Sequence, residues 1–540
     1  MVAQIIDPWA TSGCDRGHPG WSGTYSPPAS WSILHKQESR AYVTLVLPIM
    51  RNPPGLLPLL VAALCTICTA QKQPAKPTPP PQFSALPQMT PAQQENFPPE
   101  LLEQLTAIKN AELADDYAYH QVAYLTENIG PRPSGSPQAK AAAEYVAAEL
   151  RQLGLEVQLE EVKVPHWVRG AESAELVEYK GQVPDTTQKI VLTALGGSTS
   201  TPPEGLNADV VVVNNFDELK ALGRDKVVGK IVLFNEIFDK QKAAAGLSFV
   251  SYGEAVRYRG AGPKAAADFG AVAALVRSVG NADYRLPHTG FSFPAGIPAG
   301  AVTAEDADLM AHLAAEGKVR IHLTLTPQKL PDAIGYNVIG DLKGSEHPEQ
   351  IVVVSGHLDS WDLGTGAIDD AAGVAVAMAG AEVLQKLHLR PQRTLRVIAW
   401  MDEESGGAGS QTYKKDHESE FPRHAACIES DGGAAHPLGF DVRMSPASVE
   451  LLRPVVDILQ SFGASAVQPS SYPPGADISG MSEAGVPALG LMQDGRTYFN
   501  YHHTAADTLD KIVPSELREN AAAMAVMGYA LASMKNPLPR

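Results

Sequence analysis

His357 and Asp359 stand just beyond an apolar run at 351–354 (IVVV), and Asp369 and Asp370 follow across a glycine-rich loop. Asp402, Glu403 and Glu404 come directly after the run 394–400 (TLRVIAW). Glu429 and Asp431 come directly after 425–428 (AACI). A last run, 486–492 (VPALGLM), leads into a loop that carries His502, His503 and Asp507. Imidazole nitrogen and carboxylate oxygen are the donors expected for zinc or its neighbours in the first-row series. Several carboxylates in one cleft repel strongly unless cations neutralise them. Each residue also has a plainer reading. Glu403 and Glu404 could complement a helix N-terminus, Asp370 could cap the helix that starts at AAGVAVAM, and a loop histidine is usually just solvated. These readings lose force together, because each group lies at the end of a strand-like run or in the loop that follows it.

The surrounding elements must bring these residues into one place. From residue 334 onward, continuous apolar runs alternate with helical stretches at 370–387, 446–462 and 515–534. That alternation implies an α/β fold with a mostly parallel sheet buried on both faces. Such sheets bind ligands beyond the carboxyl ends of their strands, which is where the histidines and carboxylates fall. Upstream, Pro99 to about Asn128 and Ser136 to Leu153 read as helices, followed by an alternating strand LEVQLEEVKV. Between 168 and 328 the texture changes. Short β-runs at 190–194, 210–213 and 231–234 lie among glycine-rich turns, with one helix-like patch at 263–269. No catalytic-looking cluster occurs there, and the stretch reads as an inserted β-rich accessory domain. The catalytic domain is then 95–167 plus 329–540.

The chain has 540 residues, 19% of them charged, and a net charge of −17 spread along its length. No Lys/Arg-rich block supports nucleic-acid binding. The run LLPLLVAALCTI at 56–67 is too short to span a bilayer comfortably. With Met50, Arg51 and the small residues to Ala70 it has the proportions of a signal peptide over 50–70. Residues 1–49 then read as an upstream mis-start or a disordered extension, and 71–94 as a Pro-rich linker. Of the four cysteines (Cys14, Cys65, Cys68 and Cys427), only Cys427 would survive cleavage, so no internal disulfide is expected. The expected location is periplasmic or extracellular, membrane-anchored only if the apolar segment is retained.

The stretches GHLDSWDLGTGAIDDAAG (356–373), DEESGGAGS (402–410), ESDGG (429–433) and HHTAADT (502–508), with GPRPSGSP (130–137), resemble the M28 family of zinc peptidases, in particular its carboxypeptidase Q branch. The resemblance runs from about 95 to 535, and in it 168–328 looks like a protease-associated domain. It implies two zinc ions per chain. His357, Asp369 and Asp431 would hold one; Asp369, Glu404 and His503 the other, with Asp369 bridging across a non-proline cis peptide to Asp370. Glu403 would be the general base, and Asp359 would orient the imidazole of His357. His502 is the alternative ligand; the spacing to Asp507-Thr508 favours His503. Many relatives have Thr-Ala where this chain has Met401-Asp402, a departure that touches no ligand. The implied activity is exopeptidase hydrolysis of dipeptides or short peptides, most like carboxypeptidase Q. An aminopeptidase is the alternative; a one-metal glutaminyl cyclase-type acyltransferase and a non-catalytic binding protein rank below. Peptide substrates and a homodimer are the expected partners, without a stable membrane partner. Tyr472, Tyr498 and Tyr501 are candidates to donate to an oxyanion, and Arg496 to bind a substrate carboxylate.

Overall fold

The computed structural model describes residues 88–282 and 284–540. The expected extension and signal segment, and most of the linker, lie outside them. The linker's end is shorter than expected, because Thr90 and Gln93 form a capping box that starts the helix Pro91–Asn96. No helix among the described residues is long and apolar enough to cross a membrane.

Two eight-stranded sheets organise the chain. The first runs in the order Glu156–Val168, Gln328–Leu342, Arg393–Trp400, His347–His357, His424–Glu429, Ala488–Gln493, Pro437–Arg443, Ala466–Pro469. Its four central strands, Arg393–Trp400 through Ala488–Gln493, are mutually parallel. Antiparallel strands flank them. Alternate residues of the central strands feed opposite cores, as the two-residue period requires. Val352 and Val354 join the core under the helices Ala372–Lys386 and Pro514–Ser533, while Ile351 and Val353 join Trp400, Tyr413 and Phe421 on the other face. Burial on both faces explains why these strands read as unbroken apolar runs. The helix Ala372–Lys386 is rich in alanine and glycine, and Gly380 faces Ala525 of its partner helix.

The second sheet is built wholly from residues 172–325: Gln188–Ile190, Glu172–Tyr179, Val319–Leu325, Leu206–Val213, Ile231–Phe234, Ala273–Arg277, Ala299–Val302, Leu192–Ala194. It has separate apolar cores, one around Leu233, Leu275, Ile321 and Leu323, another around Val232, Phe234 and Tyr258. The segment holds more helix than the sequence led one to expect. The patch at 263–269 is the end of the helix Ser248–Asp268, and Phe216–Leu222 and Ala304–Glu316 are helical too. The stretch from Pro99 to Asn128 is likewise three pieces, Pro99–Glu112, Tyr117–Ala123 and a π-helical turn Tyr124–Ile129.

Arg169 ties the segment to the first sheet's loops. It donates to Asp362 at 2.7 and 2.8 Å, to Glu172 at 2.8 Å and to the Ala194 carbonyl at 2.7 Å. Trp361 packs so closely on Gly196 that a Cβ there would stand 2.2 Å from the indole.

Candidate metal centre

The strand His347–His357 ends on His357, whose imidazole is buried. Its Nε2 lies 3.1 Å from Oδ1 of Asp369 and 3.3 Å from Oδ1 of Asp431. Asp369 turns its other oxygen the opposite way: Oδ2 is 3.2 Å from Nε2 of His503, and that nitrogen is 3.0 Å from Glu404. One carboxylate thus faces two histidine–carboxylate groups. The peptide bond between Asp369 and Asp370 is cis. Asp370 fastens the same corner, accepting from the backbone N–H of His357 at 3.0 Å and of Gly373 at 2.8 Å.

Both histidines of the late loop point into the cluster. His502 reaches only Asp369, at 3.5 Å, and stacks on His503 with ring centroids 3.6 Å apart. His503 is the one that meets Glu404 as well. Its backbone sits in the left-handed region at φ 61, as does that of Asp402 at φ 75. Non-glycine residues adopt that conformation rarely, and they gather at functional sites.

Asp359 acts differently from the sequence expectation. Its carboxylate is 3.9 Å from Nδ1 of His357, and its backbone carbonyl takes that nitrogen's contact instead, at 3.0 Å. The carboxylate accepts from the backbone N–H groups of Asp402, Glu403 and Glu404 at 2.8, 3.1 and 3.4 Å, and from the Ser134 hydroxyl. A buried negative charge that collects three amides in this way sets the turn carrying the paired glutamates. Two residues with no role assigned from sequence build the remaining frame. Arg132, fully buried, donates to the carbonyls of Leu358, Thr365 and Gly366. Asp507 accepts from the amides of Ala367 and Ile368 at 2.9 and 2.8 Å.

Electrostatics follow from burial and from the surplus of carboxylates. Burial pulls the imidazoles of His357 and His503 down, yet Asp431 and Asp369 around the first, and Glu404 and Asp369 around the second, hold both well above the ordinary histidine range. Burial and neighbouring carboxylates push Glu403 well above the usual glutamate range. The imidazoles retain protons because the acids around them require positive charge, the requirement a divalent cation also meets. Two buried oxygens, Asp369 Oδ2 and Glu404 Oε1, receive no well-formed hydrogen bond, Oδ2 meeting only the nitrogens of His503 and His502 at 3.2 and 3.5 Å. Buried acceptors are almost always satisfied, so these open valences and the nitrogen–oxygen donor set fit metal ligation. Two triads have donor atoms mutually within 4.8 Å: His357, Asp369 and Asp431, and Asp369, His502 and His503.

The cluster opens into a cavity of about 270 Å³ whose wall includes Asp369, Glu403, Glu404 and Asp431. The opposite wall comes from the segment expected to lack site residues: Phe249, Tyr252, Arg259 and Phe291. A larger cavity of about 740 Å³ lies beside it and is lined by Trp167, Phe291 and Trp361. None of the candidate ligands lines that one, so the chemistry belongs to the smaller cavity. Of the lower-ranked candidates, Tyr498 is buried and lines the cavity, whereas Tyr472 is 76% exposed. Arg496 pairs with Asp494 at the surface, away from the cavity lining.

A mixed sheet whose parallel strands end in a histidine–carboxylate cluster around one shared aspartate presents the donor set of a metal centre. Residues 337–527 match Peptidase family M28. The chain is 38% identical to carboxypeptidase Q of Xenopus laevis over 79% of its own length and 88% of that protein's. The crystal structure of a Peptidase M28 precursor from Shewanella amazonensis superposes with a TM-score of 0.76 at 35% identity, covering 82% of this chain and 98% of the other. A zinc aminopeptidase from Bacillus subtilis shares the fold at 22% identity and a TM-score of 0.55, over 76% and 93% of the two chains. The chain belongs to peptidase family M28.

Proposed function

We propose that this M28 peptidase is a zinc exopeptidase that hydrolyses dipeptides or short peptides, most like carboxypeptidase Q in activity. The observation that carries the reading is Asp369, whose two oxygens face two separate histidine–carboxylate groups. His357, Asp369 and Asp431 would hold one zinc ion, and Asp369, Glu404 and His503 a second. Bound there, the ions supply Lewis acidity, which polarises a peptide carbonyl and lowers the pKa of water. Glu403 is not needed as a ligand and faces the cavity. Desolvation raises the proton affinity of its carboxylate, which suits a group that takes the proton of the attacking water and delivers it to the leaving amine nitrogen. Asp359 holds Glu403 and Glu404 in register through their amides, and its carbonyl fixes the ring of His357. The cavity of about 270 Å³ is just below the usual size of small-molecule sites, about 300 to 1,000 Å³. That size favours short substrates. Residues 168–328 form a protease-associated-like insertion in this reading, and the chain is an exported protein that works as a homodimer.

The test uses the full chain and a dipeptide with free termini. Chelation should abolish hydrolysis and zinc should restore it, with two zinc ions per chain by elemental analysis. One ion per chain in fully active enzyme would overturn the two-metal reading. Full activity without metal would overturn the whole reading.

A further inference from the structure

The histidines at the two ends of the cluster are held in different ways. Nδ1 of His357 meets the carbonyl of Asp359, two residues along its own chain, at 3.0 Å. Nδ1 of His503 meets the carbonyl of Thr289, in the segment that carries the second sheet, at 3.3 Å. With Nε2 turned to Asp369 and Glu404, Nδ1 carries the hydrogen and donates it to that carbonyl. Thr289 also makes the reverse contact, since its backbone N–H donates to the His503 carbonyl at 2.9 Å. His503 needs such a hold, because its backbone stands in the left-handed region at φ 61.

Thr289 is itself anchored. It is fully buried, and its hydroxyl donates to the Ala194 carbonyl at 3.0 Å and accepts from Nη2 of Arg169 at 3.1 Å. Ala194 ends the strand Leu192–Ala194, and Arg169 also grips Asp362. The rest of the His503 loop leans on the same segment. The Asn281 N–H donates to the Phe499 carbonyl at 2.8 Å, and the Phe499 ring stacks on Tyr252 with centroids 4.5 Å apart. His357 is fixed instead by groups of the first sheet and its loops, Asp370 on its N–H and Asp359 on its ring. The partner on the second nitrogen of a ligating imidazole sets the ring's orientation and tautomer, and with them the affinity for metal.

We infer that Thr289 is a positioning residue for one of the two zinc sites: its carbonyl and N–H fix His503, and its hydroxyl fixes Thr289. The segment that carries the second sheet thereby sets the zinc affinity of the His503 site and leaves that of the His357 site alone. This rests on the two-zinc reading above. It gives the segment a part in the metal centre although none of the ligands belongs to it.

The experiment titrates zinc into the metal-free full chain against a competing chromophoric chelator, which reads a dissociation constant for each zinc. Thr289→Val keeps the shape of the side chain and loses the hydroxyl. It should weaken one zinc on the order of 10-fold, the low end of the effect of removing support from a metal ligand, and leave the other unchanged. Thr289→Ala is a second variant with the same expectation, and Thr289→Ser, which keeps the hydroxyl, should bind both ions as wild type does. Thr303→Val removes another fully buried hydroxyl of the segment, the cap of the helix Ala304–Glu316; it should lower thermal stability with both zinc constants unchanged. In a His503→Ala background the remaining zinc should be indifferent to Thr289→Val, whereas in an Asp431→Asn background the remaining zinc should still weaken. Unchanged constants in Thr289→Val, equal weakening of both ions, or weakening of the zinc that His503→Ala retains overturns the inference and leaves the two-zinc reading standing. The same selective loss in Thr303→Val also overturns it, because any loosening of the segment would then suffice. If wild type binds fewer than two zinc ions, the two-zinc reading itself fails and the inference falls with it.

Discussion

The two sheets share a plan at their centres, since each has four mutually parallel strands. They differ in what stands at the carboxyl ends. In the second sheet those positions carry Asn215, Asn235, Ser278 and Thr303, and each is consumed locally. Asn215 caps the helix Phe216–Leu222, and Thr303 caps Ala304–Glu316. Asn235 accepts from Arg277, and Ser278 donates to the Val302 carbonyl. In the first sheet the same positions carry His357, Glu404 and Asp431, and buried oxygens of Asp369 and Glu404 receive no well-formed hydrogen bond. A strand end that serves structure closes its valences inside the protein. One that serves chemistry leaves them open for a ligand.

The strongest way to break this comparison is to change the two adjacent glutamates separately. Glu403→Gln should lower kcat by roughly 10²–10⁴-fold, the contribution of a positioned proton-transfer group, with zinc content unchanged. Glu404→Gln should lose zinc, because Glu404 carries one of the orphaned oxygens. Elemental analysis beside steady-state kinetics separates the two. Equal zinc loss in both variants would show the roles to be wrongly divided.

A smaller effect tests the second sheet. Leu275 is fully buried at the centre of its core. Leu275→Ala should cost about 2–5 kcal/mol in denaturant unfolding. Zinc content and kcat on a dipeptide should hold at temperatures where the chain stays folded, since no ligand lies on that sheet. A kcat that falls in proportion to stability would mean that the two sheets do not divide structure from chemistry.

His357, Glu404 and Asp431 were legible in the sequence because each stands within a few residues of the end of an apolar run, whereas Asp369 and His503 lie farther along loops and are singled out by the family resemblance. The far wall of the cavity was not legible. Phe249, Tyr252 and Arg259 lie on a helix whose sequence holds Gly253, Gly260, Gly262 and Pro263, all poor helix formers. That helix is held by packing. Gly262, for example, lets it approach the Phe234 ring to a distance at which a Cβ would stand 3.0 Å away. Arg259 and His503 are 244 residues apart in the chain, so no spacing rule relates them. Asp359 shows a different limit. Its two-residue separation from His357 placed it correctly beside the ring, but a carbonyl and a carboxylate leave the same backbone position in different directions. Only the fold decides which one the imidazole meets. The strands Pro437–Arg443 and Ala466–Pro469 escaped notice because Gly439 and Asp441 interrupt the first and the second is only four residues long with Gln468 and Pro469 exposed.

The mildest expected effect lies where the first sheet meets its own covering helix, away from any ligand. His417 ends the helix Ala408–His417, with Nε2 2.9 Å from Glu160 and Nδ1 3.2 Å from Glu420. Hydrogen bonding to Glu160, against a smaller opposing effect of burial, raises its pKa above the ordinary 6.5. Burial works to raise Glu420, but His417 and Arg396 outweigh it and bring its pKa below 4.5. The signs fix the window. A raised histidine contributes stability that is complete below its unfolded pKa and fades as pH rises through the folded one; a depressed glutamate contributes stability that is complete above its unfolded pKa and fades as pH falls through the folded one. The stability difference between wild type and His417→Gln should therefore be flat from about pH 4.5 to 6.5 and shrink on both sides. The site is partly open to water, so the plateau should be roughly 1 kcal/mol or less. Urea unfolding at several pH values measures it. A difference that grows above pH 7 would mean that neutral His417 is the stabilising form, and that these strand and helix ends are held by packing rather than by charge.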